Sequence, residues 1–328
     1  MKKEIVQQVR IDRHGDPSVL ELKTVAIAPP AHGEVQIRQQ AIGVNFVDVY
    51  HRTGLFPVPA LPAVLGVEGV GIVEHVGPGV SGIEVGQRVA YAGPPIGSYA
   101  TARNLSAERA VVLPDAVSIE SAAGSMLRGI TAHMLYSHVR KLHAGEVVLI
   151  HAAAGGLGLL LTQLAKAAGA TVIGTVGSEE KAKMALAHGA DHVIQYRETD
   201  FVSVVHDLTS GRGVDYAIDG IGGDTLNRTL DAVRPFGMIA SIGQVAGDVG
   251  VVGLGDLGPR RSITLSRPGV FRYMADLACY REGAEATLAR LAEGLRVQIA
   301  AELPISEAAT AHRLLESGKS IGSVILRP

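Results

Sequence analysis

The chain has 328 residues, 47% of them hydrophobic, with 30 Lys+Arg against 32 Asp+Glu for a net charge of -2, and a single cysteine, Cys279. At ~100–200 residues per domain this makes about two domains, each with a core that needs no covalent staples. One cysteine excludes an internal disulfide and a Cys-rich zinc lobe, and the charge balance leaves nothing to drive sequence-independent binding to nucleic acid.

Through roughly residue 115, short apolar or alternating runs sit between Gly and Pro: EVQIRQQAIGVN (34–45), GVGIVEHVGPGV (69–80), GQRVAYAG (86–93) and GSYATA (97–102). Period-two alternation with such punctuation predicts many short strands in a β-rich unit. From Ser118, a helix-capping residue, the pattern turns helical, first in IESAAGSML and then over about 129–140. Five strand-like runs follow: VVLIHA (147–152), ATVIGTV (170–176), HVIQY (192–196), VDYAIDG (214–220) and GMIASIG (237–243). Helices over about 157–168, 179–188, 200–209 and 224–231 separate them. Runs apolar on both faces and alternating with helices predict a parallel sheet covered by helices. After about 260, ITLSRP (263–268), a long Ala-rich helix (273–294), VQIAAELPI and SVILRP are expected to rejoin the first unit, which makes the α/β unit an insertion. No apolar run approaches the ~20 residues of a membrane helix, and MKKEIVQQVRIDRHGD turns polar too early for a signal peptide. The expected location is the cytoplasm.

The segment VVLIHAAAGGLGLLLTQLAKAAGA joins an apolar strand, a Gly-rich turn and an amphipathic helix. Aligning Ala153, Gly155 and Gly158 with G-x-G-x-x-G makes Ala154, Gly155, Gly156 and Leu157 the backbone that approaches a pyrophosphate at the helix N-terminus. Such turns also occur as plain connectors, but the βαβ series that follows favours a dinucleotide. An acidic residue about 20 positions on would bind the ribose 2′-hydroxyl of NAD. Here the second strand ends in Gly174-Thr175-Val176-Gly177-Ser178, with Lys181 in the next helix and Tyr196 ending the following strand. Ser178, Lys181 and Tyr196 offer a 2′-phosphate hydroxyl, ammonium and phenol, so NADPH is the expected cofactor. The plain alternative for Lys181 is a solvated helix residue.

AIGVNFVDVYHRTGLF (41–56) and LGVEGVG (65–71), together with AAAGGLG and the closing strand, resemble the medium-chain dehydrogenase/reductase superfamily, in its quinone oxidoreductase (zeta-crystallin-like) branch. The resemblance covers essentially the whole chain. It implies an α/β fold in which a Rossmann doubly wound parallel sheet (125–264) is inserted in a GroES-like β-rich domain (1–124 plus 265–328), with the active site in the cleft between them and a homodimer as the usual assembly. Zinc alcohol dehydrogenases of the superfamily carry Cys-His in the first motif and Gly-His-Glu in the second. Asn45-Phe46 and Gly66-Val67-Glu68 stand there in this chain, and neither Asn45 nor Val67 is a suitable zinc ligand. No metal is expected.

By the same resemblance, Asn45 contacts the nicotinamide–ribose region or the substrate, with Asp48 and Tyr50 nearby. Their plain alternatives are a helix cap and buried hydrogen-bonding partners. Phe56 stands where relatives often present Tyr, which puts a phenolic proton donor there in doubt. Thr131 faces the nicotinamide, and Arg128 assists substrate or pairs with a carboxylate. Gly243, Gln244, Arg267 and Ser323 align with further cofactor-contact positions.

Loss of zinc removes the Lewis acid that stabilises a developing alkoxide. A quinone or activated enone needs less help, so orientation plus hydrogen bonds to its oxygen suffice. The leading reading is an NADPH:quinone oxidoreductase. The alternatives are an NADPH-dependent alkenal or enone double-bond reductase and a non-catalytic nucleotide- or RNA-binding crystallin-like protein, the last disfavoured by the charge balance.

Overall fold

The structure, a computed structural model, describes residues 4–248 and 251–328. The chain divides into two units, residues 1–130 with 271–328 and residues 131–270, against boundaries of 124/125 and 264/265 read from the sequence.

In the first unit, alternating runs form β1 (Glu4–Ile11), β2 (Glu21–Ile27) and the long β3 (Glu34–Val44), which leads into α1 (Phe46–Thr53). There follow β4 (Ala63–Val64), β5 (Glu68–Val76), β6 (Arg88–Ala92), β7 (Ala102–Ser106), β8 (Val111–Val112) and α2 (Ile119–Ala123); α3 (Met126–His133) begins in this unit, runs past its boundary at residue 130 and passes into a π-helical stretch over Met134–Val139 of the second unit. One sheet has the order β2-β1-β4. Antiparallel pairing of β3 with β5 and β7, and of β5 with β6, builds a seven-stranded second sheet.

GSYATA does not form the strand expected at 97–102; the strand begins at Ala102. The backbone of this stretch is divided among neighbours instead. Gly97 and Tyr99 donate to Gly66 and Leu65, Val9 donates to Tyr99, and Thr101 donates to Gln7. With no single partner strand, the segment stays irregular and drives the Tyr99 ring into the core, fully buried.

The second unit runs β9 (Val147–Ile150), α4 (Gly156–Ala167), β10 (Thr171–Val176), α5 (Glu179–Ala187), β11 (His192–Gln195), α6 (Phe201–Leu208), β12 (Val214–Asp219), α7 (Asp224–Ala232), β13 (Val233–Ser241), α8 (Leu254–Leu257) and β14 (Thr264–Ser266). The six-stranded sheet is parallel throughout, in the order β11-β10-β9-β12-β13-β14. Counted within the unit this is 3-2-1-4-5-6, the doubly wound Rossmann order. ITLSRP was expected to leave this unit, yet Thr264–Ser266 is its sixth strand, pairing Met238–Ala240. An edge strand needs only one buried flank, so the apolar-on-both-faces pattern that marks the inner strands is missing from it.

The expected helix over 273–294 is α9 (Val270–Tyr273) followed by α10 (Leu277–Ala292), because the Asp276 carboxylate caps a fresh start by accepting from the Ala278 and Cys279 N–H groups. Then β15 (Ile299–Pro304), α11 (Ala308–Glu316) and β16 (Ser323–Arg327) return to the first unit, where β16 pairs antiparallel with β3. One core cluster joins Ile42, Val44 and Val49 with Ala311, Leu315 and Val324. Two distant stretches of sequence thus share one hydrophobic interior.

Candidate active site

In the first unit, β3 ends at Val44 and the extended backbone of Asn45 (φ -127°, ψ 157°) starts α1. Asp48 Oδ2 accepts from the Asn45 N–H at 2.8 Å, which holds this helix start. The Asn45 side chain donates Nδ2 to Glu68 Oε1 at 2.7 Å. Glu68 is fully buried at the start of β5 and accepts also from the Leu127 N–H (2.7 Å) and Arg128 Nη1 (3.1 Å). Arg128 donates further to the carbonyls of Val44 (2.7 Å) and Gly124 (3.1 Å). Burial pushes the Glu68 carboxyl up, and the Arg128 charge opposes that push. Asn45 and Arg128 therefore meet on one carboxylate.

Asp48 is fully buried beside this cluster, and desolvation raises its pKa to about 7 against the hydrogen bonds from Asn45 and Tyr99. Tyr50, half-buried on the same helix, stands 5.0 Å from Phe56 and 6.4 Å from Phe46 between ring centroids, an aromatic wall. Thr131 is buried one turn beyond Arg128 on α3. Ser323 is buried at the start of β16 and donates its hydroxyl to the Gly124 carbonyl at 2.7 Å, a contact within the first unit.

In the second unit, Gly155 caps α4 and Gly156 and Leu157 are its first residues, so N–H groups of the first turn have no carbonyl of their own helix to meet. Ala154 is buried beneath them. A Cβ on Gly158 would lie 2.3 Å from the Ala152 carbonyl oxygen, and one on Gly174 would lie 2.6 Å from Ala153 Cβ, so both positions require glycine for the turn to sit against the sheet. Ala152 takes φ 53° to make that turn. The tips of β10 and β11 bring Ser178, Lys181 and Tyr196 together: Ser178 caps α5, and a Cβ at Gly177 would stand 3.1 Å from Tyr196 Oη and 3.5 Å from Arg197 Nε. Burial lowers the Lys181 pKa, with repulsion from Arg197 next. Two cations share this end.

At the other side of the sheet's carboxyl edge, Arg267 donates to Ser241 Oγ (3.0 Å) and Gln244 Oε1 (2.7 Å). A Cβ on Gly243 would meet the Gly220 carbonyl at 2.4 Å. Ligands of open parallel sheets bind outside the carboxyl ends of the strands, where all of these residues lie. Residues 249–250 of the loop 246–260 fall outside the described residues. His151 is a satisfied core histidine: both ring nitrogens meet threonine hydroxyls at 2.9 Å, and burial lowers its pKa to about 3.

Glu68, Tyr99, His312, Arg52 and Arg197 were not singled out from the sequence. Arg197 had a local signal, a second cation directly after Tyr196. Glu68 stands in the Gly66-Val67-Glu68 motif, whereas Tyr99, His312 and Arg52 meet their partners only through long-range folding, and no local pattern marks them.

Residues 31–144 match the family model of the alcohol dehydrogenase GroES-like domain, and residues 156–289 that of the zinc-binding dehydrogenase. The chain is 40% identical to quinone oxidoreductase 1 of Escherichia coli over 98% of its own length and 99% of the relative's. The crystal structure of Escherichia coli quinone oxidoreductase complexed with NADPH superposes with a TM-score of 0.95 at 40% identity, covering 98% of this chain and 100% of that one. The chain belongs to the quinone oxidoreductase family. A 2-haloacrylate reductase of Burkholderia sp is also similar, at 40% identity over 99% of both chains. The quinone oxidoreductase family thus accounts for both units and for the insertion of one in the other. Family membership also agrees with the resemblance carried by AIGVNFVDVYHRTGLF and LGVEGVG. Among the described residues, no helix is long and apolar enough to cross a membrane.

Proposed function

We propose that the protein is an NADPH:quinone oxidoreductase that works without a metal. One observation carries this reading. The chain combines a two-cation end at the tips of β10 and β11 with a first-unit site whose zinc-ligand positions hold an amide and a valine, and whose carboxylate is already paired with Arg128.

The second unit fits a dinucleotide phosphate. The Gly155 N–H is spent on the Ala152 carbonyl at 2.9 Å, so the N–H groups at Gly156 and Leu157 would hold the pyrophosphate, while Ser178, Lys181, Tyr196 and Arg197 would hold the 2′-phosphate. Gly243, Gln244 and Arg267 would line the path toward the nicotinamide. Bound NADPH supplies a hydride equivalent to an acceptor oriented against it. Asn45 and Arg128 keep fixed donors in a buried setting, where dipoles aimed at a substrate oxygen act more strongly than in water. The Tyr50–Phe56 wall gives a planar acceptor an apolar face. Asp48 holds the helix that carries Tyr50.

Mixing purified protein with NADPH and a panel of ortho- and para-quinones tests the reading: quinone-dependent NADPH oxidation is expected, and its absence at every concentration would reject it. The Burkholderia relative favours a second acceptor class, activated alkenes, and product analysis with an enone separates carbon–carbon from carbonyl reduction. The protein is further proposed to be a cytoplasmic homodimer. A single cysteine, which can form no internal disulfide, suits a reducing compartment, and β14 ends the six-stranded sheet with an edge on which a second copy can pair.

A further inference from the structure

Behind Asp48 the first unit contains a chain of buried polar groups that the reading above leaves unused. Tyr99 Oη lies 3.1 Å from Asp48 Oδ2 and 3.0 Å from His312 Nε2. His312 Nδ1 lies 3.3 Å from Arg52 Nη1. Arg52, with its side chain 2% exposed, closes the chain on Glu316 through two bonds of 2.8 and 2.6 Å and on the Gly15 carbonyl at 3.0 Å.

Donor chemistry gives this chain one direction. A guanidinium only donates, so His312 Nδ1 accepts and the ring proton resides on Nε2. Nε2–H then donates to Tyr99 Oη, and the phenol has its own proton left for Asp48 Oδ2. Burial and the Arg52 charge keep His312 neutral, with a pKa of about 3, so the order is not lost by ring protonation near neutrality. Asp48 Oδ2 thus receives two donors, Tyr99 and the Asn45 N–H, while Oδ1 is buried without a hydrogen-bond partner. Orphaned buried oxygens are costly, and the carboxyl orientation is set entirely by what reaches Oδ2.

We infer that Arg52, His312 and Tyr99 are positioning residues that lock the Asp48 carboxyl against the Asn45 backbone and thereby fix the Asn45 side chain on Glu68. The inference rests on the proposed role of Asn45 at the reacting end. The charged or titratable groups that bear on Asp48 are Glu68, Arg128 and Tyr99, with His312 and Arg52 behind them.

Two measurements on the full-length protein test it. In 15N-histidine-labelled protein, His312 is expected to report a neutral ring protonated at Nε2 from pH 5 to 8; an Nδ1–H tautomer or an imidazolium at pH 6 overturns the donor order. In Tyr99→Phe, the Asp48 carboxyl, followed by 13C shift, is expected to titrate at higher pH than in the parent, and kcat for quinone to fall about tenfold with the NADPH KM little changed. His312→Gln, which can still accept from Arg52 and donate to Tyr99, is expected to keep kcat within about threefold, whereas His312→Leu is expected to match Tyr99→Phe. Unchanged Asp48 titration in Tyr99→Phe, or equal loss in His312→Gln and His312→Leu, overturns the positioning role. If the parent reduces no quinone, the functional reading fails, and the tautomer and the Asp48 titration alone decide this one.

Discussion

Lys181 and Arg197 are two cations held at one end of the sheet, and burial already costs Lys181 part of its preference for the charged form. A 2′-phosphate would relieve that strain, and a 2′-hydroxyl would not. Charge-assisted bonds are worth roughly 1.5–3 kcal/mol, so Lys181→Ala or Arg197→Ala is expected to raise the NADPH KM about ten- to hundredfold. The NADH KM should move less than about threefold, and equal effects on both cofactors in steady-state kinetics would remove the phosphate role. Asp48 carries a pH signature of unusual sign. Its folded pKa of about 7 lies above the unfolded value of 3.8, so the folded state keeps a proton that the unfolded chain releases. Its contribution is full below the unfolded pKa and is lost as pH rises toward 7. Asp48→Asn abolishes that loss. Its stability relative to the parent should climb between pH 5 and 7 by at most about 1.4 kcal/mol per pH unit and level off above pH 8, as read from denaturant melts.

Among elements, the turn from β9 into α4 depends on how closely α4 approaches the sheet. A Cβ at Gly158 would stand 2.3 Å from a carbonyl oxygen that belongs to the backbone and cannot swing aside. Gly158→Ala is expected to cost about 1–3 kcal/mol and to weaken NADPH binding together with stability. Gly255 in α8 has open space around its Cβ direction, so Gly255→Ala should stay within about 0.5 kcal/mol. Calorimetry on the pair checks both expectations. These elements also show what a sequence makes legible. Inner strands apolar on both faces, and helices with capping residues such as Ser178 and Asp200, stand out because their signals are local. β14 was legible as a strand in ITLSRP but not as part of this sheet, since three edge residues carry no buried pattern, and Tyr99 lay in a stretch whose alternation suggested a strand. The turn from β9 into α4 was legible as local structure, with Gly155 at the cap and the helix starting at Gly156. The Asp48 chain was not, because Tyr99 reaches Asp48 across 51 positions and Arg52 reaches His312 across 260.

For the whole molecule, the absence of thiolate and imidazole at the first-unit positions has a direct consequence. Quinone reduction should be unaffected by prolonged dialysis against a strong chelator, and elemental analysis of active protein should find well under one zinc per chain. Light scattering after gel filtration is expected to report twice the chain mass, and a monomer would remove the homodimer. The discontinuity of the first unit has a further effect, on the order in which the molecule is built. Arg327 donates to the Gln40 carbonyl across 287 positions, and β16 is the direct neighbour of β3. A ribosome therefore delivers every strand of the nucleotide unit, as one uninterrupted stretch, before it delivers the partner that β3 has been waiting for. Nascent chains stalled after residue 300 should show a protease-resistant second unit beside a first unit that is still cut, so the part proposed to hold the cofactor folds before the part proposed to hold the acceptor.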